Sequence, residues 1–215
     1  MIFYKPVDGE IFNGHRHIDY RPRTCFIMTK LGHSVSVEIQ AIRTELSEVL
    51  RLHDIAETDA GSAVTGRDFL VKIWSMIIAV PFGIAIIDSD MPSQTLANIF
   101  YELGMMQAYG KENLVIKTED ADIPSDFVRT EYIEYGAGFK AKLNSYFETF
   151  FQIPKHYAFM AESLEKNPLL AIDYLKRAYL ITGNGEYRKK AKDIYDAASI
   201  KGRSKNSVEA LLMKF

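Results

Sequence analysis

Cysteine is nearly absent from this chain: Cys25 is the one such residue in 215. A single thiol cannot close an internal disulfide, which excludes the cross-linked secreted scaffolds. Cys25 lies in an apolar run and reads as a small core residue rather than a nucleophile. Long hydrophobic runs are missing too. The longest, Met76 to Ile87, is interrupted by Pro81 and Gly83 and is too short to span a bilayer. The opening stretch, Met1 to Pro6, lacks the charged-then-apolar layout of a secretory signal. Together these absences lead us to expect a cytoplasmic protein that makes no use of a membrane. His15 and His17 have no third His and no Cys close by, so no metal site is expected.

An excess of one charge is also lacking, since the net charge is −2. The distribution is uneven, however. Residues 1–154 hold 14 Lys/Arg against 21 Asp/Glu, and residues 155–215 hold 12 against 7. Basic clusters such as Arg188-Lys189-Lys190 are compatible with nucleic acid. The solvated face of a helix is the simpler reading, and a nucleic-acid partner is not expected. Hydrophobic content of 47% and charged content of 25% suit an ordinary globular chain with one full core and a small appended element.

The pattern along the chain divides into three parts. Residues 1–22 have weak periodicity and turn signals at Asp8-Gly9 and Asn13-Gly14, and read as an irregular arm. From 23 to 151, short apolar runs alternate with helical periodicity. Strands are expected at Arg23–Lys30, Asp54–Thr58, Phe82–Asp88, Leu114–Lys117 and Tyr132–Tyr135. Helices are expected at Val35–Leu52, from about Thr65 through Ile77, at Asn98–Tyr109 and at Phe139–Phe151. This alternation predicts an α/β fold, with a mainly parallel sheet and helices on both faces. Right-handed crossovers would bring every loop that follows a strand to one edge. Residues 152–215 show only helical signals: Tyr157–Lys166, Leu169–Thr182 and Glu186–Ser199. The Gly183-Asn184-Gly185 turn would join the last two as a hairpin, and an apolar tail follows from Ser204.

Four loops should converge at the carboxyl edge, and each brings groups suited to a nucleotide. In Gly32-His33-Ser34 the glycine permits close backbone approach, and nearby N–H groups at a helix start can bind phosphate. Arg67, after the Asp59–Val64 loop, offers a forked partner for phosphate. Asp88 and Asp90 follow the third strand and can accept hydrogen bonds from hydroxyls or a base. Lys117 to Asp126 form the fourth loop. The most informative segment is Asn98-Ile99-Phe100-Tyr101-Glu102-Leu103-Gly104. If Asn98 caps its helix, Glu102 lies one turn inside on the same face, where the positive helix end keeps it ionised. An ionised carboxylate beside a sugar can stabilise an oxocarbenium-like transition state or trap it covalently. The plainer reading is that Glu102 only complements the helix dipole.

Over about Arg23 to Phe150 the chain resembles the nucleotide-binding proteins with Toll/interleukin-1-receptor-like (TIR-like) domains and the related nucleoside 2-deoxyribosyltransferases. The match rests on Asn98 to Gly104, then Ala108-Tyr109-Gly110-Lys111 and the strand Leu114-Val115-Ile116-Lys117. Supporting it are the apolar strand before Asp88, the Gly66…Ile73…Ile77 helix, and Ile123-Pro124-Ser125-Asp126 leading to Ile133-Glu134-Tyr135. The resemblance implies a flavodoxin-like (TIR-like) domain with Glu102 acting at a ribose. The transferases also carry an Asp six residues before the glutamate, and Leu96 stands there in this chain. That departure favours cleavage of a dinucleotide over deoxyribosyl transfer.

The leading expectation is therefore an N-glycosidase cleaving nicotinamide from NAD(P) or a related nucleotide, which is substrate rather than cofactor. Its kinship suggests a role in bacterial anti-phage defence, and a homo-oligomer is expected. The competing expectations are a nucleotide-sensing module that signals through its helical tail, and an inert sheet whose C-terminal helices form the working surface.

Overall fold

The computed structural model describes residues 18–32, 35–61, 69–124, 131–164, 166–198, 209 and 212. Among these, two compact units divide the chain: Thr24–Glu148, and a helical unit formed by the described residues before and after it.

In the first unit, β1 (Thr24–Met28), β2 (Ala56–Asp59), β3 (Phe82–Ile87), β4 (Glu112–Lys117) and β5 (Glu131–Glu134) form one sheet in the order β2-β1-β3-β4-β5. All four pairings are parallel. The protein is therefore α/β, with every strand ending at the same edge. Residues of β1 and β3 are buried throughout, because a central parallel strand is covered on both faces and reads as an unbroken apolar run. On the outer strand β2 (Ala-Glu-Thr-Asp), only Thr58 is buried. Full burial of each Phe or Ile contributes about 1.5–3 kcal/mol, so Phe26, Phe82, Ile84 and Ile86 anchor the sheet.

Helices α1 (Val37–Leu52), α2 (Phe69–Ala79), α3 (Ser93–Ala108) and α4 (Phe139–Phe150) connect and cover the strands. Neighbouring residues of β3 show that both faces are covered. Phe82 meets the Phe147 ring of α4 edge-on at 6.1 Å between centroids. A Cβ on the adjacent Gly83 would fall 2.9 Å from Met106 Cε of α3. Helix α1 shares the α4 side: His53, its C-cap, lies 2.9 Å from Asn144, and Glu48 pairs with Lys140 at 2.6 Å. Helices α2 and α3 pack on each other. Buried Ile39, Ile42, Leu46, Val49 and Leu50 give α1 its core-facing stripe.

The order reverses between β1 and β3. The chain leaves β1 toward β2 through α1, then crosses back through α2 to lay β3 on the other side of β1. At such a reversal the two connections diverge and leave a crevice at the strand ends.

One expected boundary is wrong in a way that matters. The helix expected at Asn98 begins at Ser93, with Pro92 as its N-cap. The carbonyl of Pro92 accepts from Thr95 N at 2.8 Å and from Leu96 N at 3.1 Å. Ser93, Gln94, Thr95 and Asn98 are polar and resemble loop composition, but Pro-Ser is itself a helix-start signal. The Thr65–Asp68 helix start lies outside the described residues.

The helical unit comprises α5 (Ile153–Ser163), α6 (Pro168–Thr182) and α7 (Glu186–Ala197). Asn167 caps α6 by accepting from Leu170 N at 3.3 Å, and Pro168 follows at the first helical position. Gly183 ends α6 at φ +71°, a left-handed conformation in which a side chain is strained. Ala161, Ala171, Ile172, Leu175, Tyr179, Leu180 and Ala191 form its core. The last described residues of the N-terminal arm belong here: Arg23 N donates to Leu180 O at 2.8 Å, and Lys176 stands over the Tyr20 ring at 3.6 Å. Residues 1–17 lie outside the described residues. No helix among the described residues is long and apolar enough to cross a membrane.

Candidate functional site

The carboxyl ends of β1, β3 and β4 carry the most unusual polar chemistry of the molecule. Asp88 directly follows β3 and is 5% exposed. Its Oδ2 accepts the Ser36 hydroxyl proton at 2.6 Å. Ser36 is the N-cap of α1, and its Oγ in turn accepts from Ile39 N at 3.2 Å. One hydroxyl therefore ties the start of α1 to the end of β3. Asp88 Oδ1 is buried and has no hydrogen-bond partner among the described residues.

Two further buried hydroxyls share this edge. Thr29 follows β1 and Thr118 follows β4; they are 8% and 4% exposed, and neither Oγ1 has a partner among the described residues. The pleat puts all three on one side of the sheet. Ile84 and Ile86 pair with Leu114 and Ile116, and Cys25 pairs with Phe82. Continuing that alternation by one residue carries Thr29, Asp88 and Thr118 toward the side covered by α1. A buried polar atom without a partner costs about 1–3 kcal/mol, so three together call for a ligand or ordered water.

The expected site residues have different fates. Gly32 has φ +106° with open space around a Cβ position, as a close-approach glycine should. His33, Ser34 and Arg67 lie outside the described residues. Asp90 is exposed on the turn after Asp88. Asn98 does not cap α3. It is exposed in the second turn, with Gln94 Nε2 3.4 Å from its Oδ1. Asp59 ends β2 but is engaged, accepting from Arg43 at 3.0 Å and from Gly61 N at 3.0 Å.

Glu102 is correspondingly displaced. With α3 starting at Ser93, it stands in mid-helix, beyond the first turn where the dipole favours negative charge. The expected stabilisation of its ionised form by the helix end is therefore absent. Helical spacing sets it at the border of the buried stripe of Ile99, Leu103 and Met106. It is half-buried, with no hydrogen bond or ion pair to a described residue, and burial pushes its pKa up to about 7. No hydrogen bond or ion pair joins it to Asp88.

Ser36, Thr29 and Thr118 were not anticipated. Ser36 had a legible signal, a serine immediately before the apolar periodicity of α1. For Thr29 and Thr118 the signal was weaker: a hydroxyl residue one position past a buried strand.

The helical unit holds a different feature, a cavity of about 480 Å³ walled by Ala161, Ala171, Leu175 and Ile194. Two of its charged lining residues pair with each other, Lys190 with Glu162 at 3.2 Å. Among the described residues no group of three His, Cys, Asp or Glu is placed to hold a metal ion.

Comparison of the chain with family models, curated proteins and solved structures finds no match.

Proposed function

We propose that this protein is an N-glycosidase of nicotinamide dinucleotides or related nucleotides, built on a flavodoxin-like (TIR-like) domain with a helical extension. The observation that carries the proposal is Glu102, a half-buried carboxyl that no described cation or donor engages, on the helix following the strand at the reversal point. A titratable group shifted by burial and left without a structural partner is the pattern expected of a working residue. The strand order 2-1-3-4-5 is also that of the flavodoxin-like doubly wound sheet, whose ligands bind at this edge.

In the proposed reaction the bond between ribose C1′ and the nicotinamide nitrogen breaks. Its electron pair goes to the ring nitrogen, which turns a cationic pyridinium into a neutral leaving group and removes any need for an acid. The ionised Glu102 carboxylate steadies the positive character left on the ribose or bonds to C1′. Water then adds at C1′ and releases a proton, giving the ADP-ribosyl product. A cationic nicotinamide nearby favours the ionised form of Glu102, by the same attraction that lowers any carboxyl pKa beside a positive charge.

Incubation of the full chain with NAD and NADP, over a range of protein concentrations, tests the reading by quantifying released nicotinamide. Release that disappears in Glu102→Ala supports it. No release at any concentration, or equal release from the variant, defeats it. One observation favours a second reading, nucleotide sensing without turnover: Glu102 shares no hydrogen bond with Asp88. A ligand that raises the unfolding midpoint but is recovered intact would identify that case. Self-association and a part in anti-phage defence belong to the same proposal, and deoxyribosyl transfer is the less favoured alternative because Leu96 stands where the transferases carry Asp.

A further inference from the structure

We infer that the carboxyl ends of β1, β3 and β4 form a recognition niche for adjacent hydroxyls of a ligand. Asp88 is its acceptor, Thr29 and Thr118 are its flanking hydroxyls, and Ser36 is a positioning residue. This deepens the nucleotide-glycosidase reading and rests on it for the ligand class, a pentose bearing a vicinal diol.

Hydrogen-bonding capacity decides what can fill this niche. A carboxylate accepts and does not donate, and Ser36 has a single proton, which goes to Asp88 Oδ2 at 2.6 Å. Because Ser36 Oγ also accepts from Ile39 N, the hydroxyl cannot swing away without uncapping α1. The carboxylate is thus held by one oxygen, and the other, Oδ1, is buried with no partner among the described residues. What completes it must be a donor. Thr29 and Thr118 each offer a proton and lone pairs, and neither hydroxyl has a partner among the described residues. A lone phosphate or carboxylate would bring no donor to Asp88 and would place negative charge against it. A purely apolar group would leave all three oxygens unsatisfied. A pair of neighbouring hydroxyls meets the requirement, since one donates to Asp88 and the other exchanges hydrogen bonds with the threonines. These oxygens lie beside the reversal between β1 and β3, where open parallel sheets hold small ligands.

Calorimetric titration of the full chain tests this with AMP, 2′-deoxy-AMP, 3′-deoxy-AMP and ribitol. AMP is expected to bind, and loss of either hydroxyl should weaken binding about tenfold to hundredfold, the usual effect of removing a hydrogen bond to a charged group. Asp88→Asn should weaken AMP by a similar factor while adding little to the loss already seen with the deoxy compounds, as expected of groups in one contact. Ser36→Ala should do the same more weakly, with partial rescue in Ser36→Thr. Thr29→Val and Thr118→Val keep side-chain shape, so their unfolding midpoints should hold or rise while AMP affinity falls. A merely structural hydroxyl would change stability and leave affinity alone. Ribitol binding that depends on Asp88 supports the same niche with a free polyol as its source. Three results overturn the inference: neither AMP nor ribitol binds, AMP binds without regard to its hydroxyls or Asp88, or the threonine variants alter stability only. The last would mean that an ordered water fills the niche. Nicotinamide release separates the two proposals. Hydroxyl-dependent binding without release spares the niche and defeats the glycosidase, whereas release with hydroxyl-independent binding does the reverse.

Discussion

The sheet unit and the helical unit treat buried polarity in opposite ways. In the helical unit the buried and half-buried charges are engaged: Lys176, 4% exposed, stands over the Tyr20 ring, and Arg177 pairs with Asp173 at 3.0 Å. In the sheet unit, buried oxygens of Thr29, Asp88, Asn113 and Thr118 lack partners among the described residues, and three of these four lie at strand carboxyl ends. Glu102, also in the sheet unit, holds a half-buried carboxyl without a described partner. Folding alone selects against such groups, because each is destabilising where it stands. Their concentration in one unit is the pattern expected if the sheet unit meets the proposed ligand.

Glu102→Gln should have the largest effect in the sheet unit. Loss of an electrostatic stabiliser of a charged transition state typically costs about a hundredfold or more in rate, so nicotinamide release should fall by at least roughly that factor. The same variant should be more stable than the parent in alkaline solution. Glu102 has its folded pKa raised from 4.5 to about 7, so ionisation opposes folding. The contribution is intact below the unfolded value and is lost as pH rises from about 4.5 through about 7. Denaturant titrations should find Glu102→Gln near parity with the parent at pH 4 and more stable by up to about 3 kcal/mol at pH 8. A variant that loses both activity and stability would place Glu102 in the packed class.

Two helix caps provide the next contrast. Ser36→Ala removes a cap and also strips Asp88 Oδ2 of its donor, so it should cost roughly 2–3 kcal/mol in chemical denaturation. Asn167→Ala removes a cap alone and should cost about 1 kcal/mol. Equal losses would show that the Ser36–Asp88 contact adds nothing. Gly183→Ala should cost a similar amount, about 1–2 kcal/mol, from holding a side chain at φ +71°.

Much of the fold was legible because buried parallel strands are apolar along their whole length. Phe82 to Ile87 and Thr24 to Met28 could hardly be anything else. The alternation with amphipathic helices then implied a parallel sheet and a single functional edge. The start of α3 was not legible in the same way: Ser93, Gln94 and Thr95 are as polar as a loop, and Asn98 imitates a cap. That error moved Glu102 from mid-helix to a helix end and supplied it with a dipole it does not feel. Composition also cannot reveal pairing. Asp88 was recognisable as a strand-end carboxylate, yet its clamp by Ser36 depends on two residues 52 positions apart. Thr29 and Thr118 look like any threonine until their neighbours are known.

The role of Glu102 is tested most directly by the pH dependence of kcat/KM for nicotinamide release, which reports the free enzyme's essential ionisation. The rate should climb tenfold per pH unit below about 7, level off above it, and lose that limb in Glu102→Gln. A profile that is flat or falling across pH 7, or one that Glu102→Gln leaves unchanged, contradicts a carboxylate acting at the ribose.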